Sequence, residues 1–170
     1  MAFVPGRTIN ENSILSHEIM HYIHRKQGRK RVMAIKIDLT KAYDRMEWKP
    51  LIQLLEKLGM CEVMTRWINQ CISSPSFLIL FNGAPFDYFQ QTRGIRSGDP
   101  LSPYLFIIYA EILSRLIFFE EEKGNLKGIK ICRNAPPISH LFYADDITIF
   151  CRADERDAQA VQRCLSKFEN

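Results

Sequence analysis

Apolar positions recur along this chain with two different spacings, and the changes from one to the other lay out its elements. Ile14, Leu15, Ile19, Tyr22 and Ile23 repeat every three to four positions, which predicts a helix over residues 11–27, capped by Asn10 after a Pro5-Gly6 turn. A basic link from Arg25 to Arg31 then feeds residues 32–38, a mostly apolar run that ends on a carboxylate and reads as a strand. Helical spacing returns with Trp48, Leu51, Leu55 and Leu58, where Pro50 is tolerated in the first turn and Gly59 marks the stop. A second amphipathic helix follows, with Val63, Met64, Trp67, Ile68 and Cys71 along one side.

Residues 77–81 and 84–89 flank Asn82-Gly83, the pair that suits a tight hairpin turn because both positions accept positive φ. After a loop over residues 90–99, a long helix is expected over residues 100–123, apolar through Leu105, Phe106, Ile108, Tyr109, Ile112, Leu113, Leu116 and Ile117. A short strand at residues 128–132, a second hairpin over residues 141–150 and a terminal helix from about Asp154 complete the chain. Strands and helices mix without regular alternation, so the fold class is α+β, an antiparallel sheet backed by helices mainly on one face.

Composition narrows the picture. The 170 residues are 46% hydrophobic, enough for a core and against disorder. No uninterrupted apolar run reaches the roughly 18–20 residues of a membrane span, and the first residues lack a secretory signal, so a soluble intracellular protein is expected. The five cysteines are scattered without metal-site spacing and read as reduced, mostly buried thiols. A net charge of +4 permits an anionic partner without requiring one.

The chemistry lies in three acids. Asp145 and Asp146 sit between the strongly apolar stretches 141–144 and 147–150, so both should lie at the lip of a core. Like charges held together there repel unless a cation compensates. Asp38 ends another apolar strand, and hard cations such as Mg²⁺ are held by one or two carboxylates plus substrate phosphates. Taken alone, Asp145-Asp146 is more often a solvated turn than a metal site, and Asp38 more often a strand-end or cap residue. A shared site demands that the two segments be neighbours in the sheet.

Four blocks occur in order: Phe3-Val4-Pro5-Gly6-Arg7 with Glu11-Asn12; Lys36-Ile37-Asp38-Leu39-Thr40-Lys41-Ala42-Tyr43-Asp44; residues 94–103 (GIRSGDPLSP); and Phe142-Tyr143-Ala144-Asp145-Asp146. Over nearly its whole length the chain resembles the reverse transcriptase domain of non-LTR, LINE-type retrotransposons, particularly those of plants. The resemblance implies one partial domain over residues 1–170, with about 1–31 from the fingers and 32–170 mainly palm of a right-hand polymerase. It implies RNA-directed DNA synthesis with an RNA template, a DNA primer, deoxynucleoside triphosphates and two Mg²⁺ ions, for which Mn²⁺ can substitute.

Carried over by position, Asp38, Asp145 and Asp146 form the catalytic acid cluster, and Leu39 offers its backbone carbonyl to the metals. Tyr43 matches the ring that excludes a ribose 2′-hydroxyl, while Arg93 and Gly94 fall beside the incoming nucleotide. Arg7, Lys36, Gly98, Asp99 and Pro100 match template and nucleotide contacts. Ser97 stands where many relatives carry Gln, and Arg93 where retroviral relatives do. The later palm blocks, thumb and endonuclease find no match, which implies a fragment without processive synthesis of its own. The contrasting reading is a non-catalytic remnant that binds nucleic acid or a partner weakly. Oligomeric state is not legible, and Gly94, Gly98 and Pro100 are open to a purely loop-shaping role.

Overall fold

Three of the apolar runs pair into one antiparallel sheet in the computed structural model of the protein, which describes residues 8–26, 31–143 and 146–169. Along the chain the elements are α1 (Ile9–Arg25), β1 (Val32–Asp38), α2 (Ala42–Arg45), α3 (Trp48–Lys57), α4 (Glu62–Ser73), β2 (Ser76–Phe81), β3 (Ala84–Gln90), α5 (Ser102–Glu122), β4 (His140–Tyr143), β5 (Asp146–Arg152) and α6 (Glu155–Glu169). The architecture is the expected α+β class. The chain divides into two compact units, Met1–Thr40 with Ala110–Asn170, and Lys41–Tyr109, the division falling within α5.

In the first unit the sheet order is β1-β5-β4, and β5 is central because it is apolar on both sides. Ile147, Ile149 and Cys151 face one cluster with Ala110, Leu113 and Ile117 of α5 and Ala160, Val161 and Cys164 of α6. Phe150 faces the opposite side, against Ile19 of α1, Ile129 and Leu141. Helices therefore cover both faces of the sheet, two of them, α5 and α6, on one face and α1 on the other, which agrees with helices mainly on one face. Residues such as Leu113, Ile117, Ile147 and Ile149, all wholly buried, each contribute roughly 1.5–3 kcal/mol by leaving water.

Two buried carboxylates tie the helices down. Glu120 accepts a hydrogen bond from Arg163 at 2.7 Å and one from Asn125 at 3.1 Å. The Arg163 guanidinium holds the Glu120 carboxyl below the usual carboxylate range, against the opposing effect of burial. Asp157 accepts from the backbone N–H groups of Lys127 and Arg152, while Asp154 caps α6 by accepting from the Asp157 N–H at 2.9 Å.

Several local expectations shift. Thr8, with Glu11, forms the capping box of α1, and Asn10 lies inside the helix. Leu15, Ile19, Tyr22 and Ile23 do face the core, but Ile14 is exposed. The stretch 128–132 forms only an isolated bridge, Ile129 to Ile138. Cys61, Cys71 and Cys132 are exposed and only Cys151 and Cys164 are buried, so the thiols are free but not mostly inside. By length and composition α5 could cross a membrane, although its Ala110, Leu113 and Ile117 are taken up by the core.

In the second unit, α3 buries Leu51 and Leu55, and Gly59 follows its end with a φ of +87°. The stripe expected on α4 is mostly exposed: Ile68 is buried, with Thr65 beside it, whereas Val63, Met64 and Trp67 face outward. The β2–β3 hairpin forms with the anticipated turn, Asn82 and Gly83 both at positive φ, and a register shift between Leu78 and Leu80.

Candidate active site

Strand alternation sorts the residues of the sheet. Met33, Ile35 and Ile37 of β1 pack with the α5 and α6 cluster, whereas Val32 and Ala34 pack on the α1 side. Lys36 and Asp38 continue the row of Val32 and Ala34. The antiparallel register places Lys36 opposite Thr148 and Asp38 opposite Asp146. The two strand-end acids required to be neighbours are thus direct partners across the pair, on the α1 side of the sheet where its apolar packing gives way to polar residues.

Directly opposed like charges are destabilising unless offset. Here the Lys36 ammonium reaches Asp146 at 3.0 Å, an exposed ion pair on the same face. Leu39, the residue after β1, packs its side chain into the α5 and α6 cluster, which anchors the chain just beyond Asp38. Asp145 and Arg7 lie outside the described residues. Among the described residues no group of three or more His, Cys, Asp or Glu side chains gathers as a metal site. Two opposed carboxylates remain, with Asp145 next in the chain, and an all-oxygen donor set of this kind suits a hard divalent cation.

β4, the strand that precedes Asp145 and Asp146 in the chain, is clasped from both sides. Asn12 of α1 donates its amide to the Phe142 carbonyl at 2.8 Å, and the Tyr143 hydroxyl donates back to the Asn12 carbonyl. From α5, Ser114 lies 2.9 Å from Nε2 of His140, and Ser139 lies 3.0 Å from Nδ1 while donating to Glu121 at 2.8 Å. Burial pushes the His140 pKa down to about 4, so the imidazole is neutral. Because the Ser139 hydrogen goes to Glu121, Nδ1 carries the proton and Nε2 accepts from Ser114. Sequence reasoning passed over His140 and the clasping role of Asn12. The available signal was the polar pair Ser139-His140 directly ahead of an apolar strand.

The remaining site residues lie in the second unit. The Tyr43 ring packs on Phe106 with centroids 5.2 Å apart, and its carbonyl accepts from the Ile95 N–H at 2.9 Å. Lys41, at the corner before α2, has a φ of +55°, an uncommon conformation for a residue with a side chain. Gly94 is held against the same segment: its N–H donates to the Met46 carbonyl at 2.7 Å and its carbonyl accepts from the Trp48 indole at 2.6 Å. A Cβ on Gly94 would lie 2.8 Å from the Asp44 carbonyl oxygen, so this glycine permits two backbones to meet.

Arg93 pairs with Glu47 at 3.4 Å. Asp99 pairs with Arg96 and accepts from the Leu101 N–H at 2.9 Å, fastening the entry to α5. Gly98, at a φ of +85°, is open to solvent and Pro100 is exposed. Tyr109, in the α5 part of this unit, has its pKa raised by burial and by the nearby Glu47 charge.

With this geometry in place, comparison with known proteins is informative. A family model described as reverse transcriptase (RNA-dependent DNA polymerase) matches residues 1–170. An uncharacterized mitochondrial protein of Arabidopsis thaliana is 51% identical over 69 residues, covering 41% of this chain and 57% of that protein. The Pol polyprotein of a type-1 retrotransposable element R2 from Popillia japonica is 27% identical across 81% of this chain and 21% of its own length. A transposon TX1 protein of Xenopus laevis is 26% identical across 97% of the chain but only 12% of itself. The chain therefore spans a minor part of the retroelement proteins it matches. The solved structure of apo telomerase from Candida tropicalis superposes with a TM-score of 0.63 at 15% identity, over 95% of this chain and 32% of that one. That likeness supports the polymerase palm fold.

Proposed function

This chain belongs to the reverse transcriptase family of RNA-dependent DNA polymerases, and from that premise we propose that it supplies the metal-dependent nucleotidyl-transfer core of a non-LTR retroelement polymerase. The observation that carries the reading is the register that sets Asp38 against Asp146. Reverse transcriptases work with divalent metal ions. In this reading Asp38, Asp145, Asp146 and the Leu39 carbonyl would hold two Mg²⁺, or Mn²⁺ in their place. When bound, the metals neutralise charge that builds on the α-phosphate as the primer 3′-hydroxyl displaces pyrophosphate.

The protein's own contribution is positioning. β1 and β5 are hydrogen-bonded neighbours in a packed sheet, so Asp38 and Asp146 are fixed by backbone rather than by flexible loops. Tyr43, seated on Phe106, is the ring that rejects a ribose 2′-hydroxyl by clash. Arg93 and Gly94 serve the incoming nucleotide; Arg7, Lys36, Gly98, Asp99 and Pro100 serve template and nucleotide. For Gly94 and Asp99 the role is indirect, since both are engaged in shaping the loop. In this reading about residues 1–31 derive from the fingers and residues 32–170 are mainly palm. RNA template, DNA primer and deoxynucleoside triphosphates are the partners, and the setting is soluble and intracellular, without a membrane.

Primer extension on an RNA template tests this. With Mg²⁺ the chain adds one or a few deoxynucleotides to a primer present at high concentration, without processive synthesis, and Asp38→Asn abolishes the addition. Incorporation that survives Asp38→Asn, or none by the unaltered chain with either metal, would refute the proposal.

A further inference from the structure

The face around the acid pair carries Asp38, Asp146, Thr148 and the cationic Lys36. Lys36 is two residues before Asp38 on the same row and diagonal to Asp146 across the pair, a separation a lysine side chain spans easily. Its ammonium lies 3.0 Å from Oδ2 of Asp146. The two opposed carboxylates are thereby partly neutralised by a cation built into the fold.

We propose that Lys36 is the resident counter-ion of this acid pair, and that a divalent metal and the Lys36 ammonium compete for Asp146. The inference rests on the reading of Asp38 and Asp146 as metal ligands and deepens it by naming what sets their affinity. A single positive charge on a flexible stem holds the carboxylates in register without metal and yields to a doubly charged ion. Two features fit this exchange. The pair is exposed, with side-chain accessibilities of 67% for Lys36 and 37% for Asp146, so water and salt screen it and it separates readily. Lysine is also a compact point charge without the planar fork that locks an arginine onto a carboxylate. Lys36 thus trades metal affinity for order of the metal-free site.

The exchange is measurable on the 170-residue chain by titration with Mn²⁺ alone, following free Mn²⁺ by electron paramagnetic resonance, with Mg²⁺ as competitor. Lys36→Met should bind Mn²⁺ about tenfold more tightly than the unaltered chain, and Lys36→Arg should bind at or below the unaltered level. Thermal unfolding gives a second readout: Lys36→Met should melt lower than the unaltered chain without metal and gain more from added Mn²⁺. Equal or weaker Mn²⁺ binding by Lys36→Met, or no binding by either chain, overturns the proposal. The ligand assignment is judged separately by the double variant Asp38→Asn, Asp146→Asn. Retention of full Mn²⁺ affinity there removes the metal site itself, whereas its loss together with an unchanged Lys36→Met removes only the counter-ion.

Discussion

Asp38 and Asp146 are direct partners in the antiparallel pairing of β1 with β5, although 108 positions separate them in the chain. Each ends or begins its strand, so one register sets both carboxylates. A slip of either strand by one residue would turn its carboxylate to the other face of the sheet, away from its partner.

This pairing predicts a trade between stability and function. Asp38→Asn removes a like charge opposite Asp146 and should raise metal-free stability by about 0.5 kcal/mol, within the range of cross-strand pairs. The same variant should lose metal-dependent primer extension. Urea unfolding and the extension assay, run on one preparation, measure both.

Gly94→Ala should be among the most damaging single substitutions in the second unit. The φ of +89° disfavours alanine, and the added methyl would meet the backbone of Asp44. A loss of about 2 kcal/mol or more is expected, read as a lower denaturation midpoint.

His140 makes the fold acid-sensitive. Its folded pKa of about 4 lies below its ordinary 6.5, so the unfolded chain binds more protons between those values. The stability contributed by the neutral ring is complete above about pH 6.5 and declines as pH falls toward 4, by up to roughly 3 kcal/mol. His140→Leu should cost about 1–3 kcal/mol at neutral pH through the lost hydrogen bonds. It should also flatten the stability profile over that interval, and denaturation curves at a series of pH values would show both effects.

Tyr43→Val should relax sugar discrimination. Without the ring, addition of ribonucleotides relative to deoxynucleotides in single-nucleotide extension should rise by about tenfold or more. An unchanged ratio would return Tyr43 to simple packing against Phe106.

Thiol labelling should divide the cysteines. Cys61, Cys71 and Cys132 are exposed, whereas burial pushes Cys151 up to about 12 and Cys164 up to about 11. Iodoacetamide should modify the first three in the native protein and the other two only after unfolding, as mass spectrometry would report.

Much of this fold was legible because local pattern and tertiary packing agree. Residues 32–38 and 146–152 are apolar enough to be strands in any context, and Asn82-Gly83 admits little besides a hairpin. The α+β class and the motif order could be read for the same reason. What failed depended on neighbours distant in sequence. The stripe of Val63, Met64 and Trp67 was seen as a stripe, but spacing does not say whether anything covers it. The placement of α1 opposite α5 and α6 depends on which face of β1 each helix meets, and β1 is apolar on both. Lys36 as partner of Asp146 needed the register, which arises only once the strands pair. His140 looked like any lone histidine until α5 supplied Ser114 and Glu121.

The β2–β3 ribbon carries one last implication. Its sheet has only those two strands among the described residues, so the outer edge of each is paired with no further strand there. Leu80, Phe81, Phe86 and Tyr88 are all more than 60% accessible along it. A short, greasy ladder with both borders open recruits further ladders like itself. Purified at high concentration, this polypeptide should therefore self-associate through that ribbon, and a lysine in place of Leu80 should keep it dispersed.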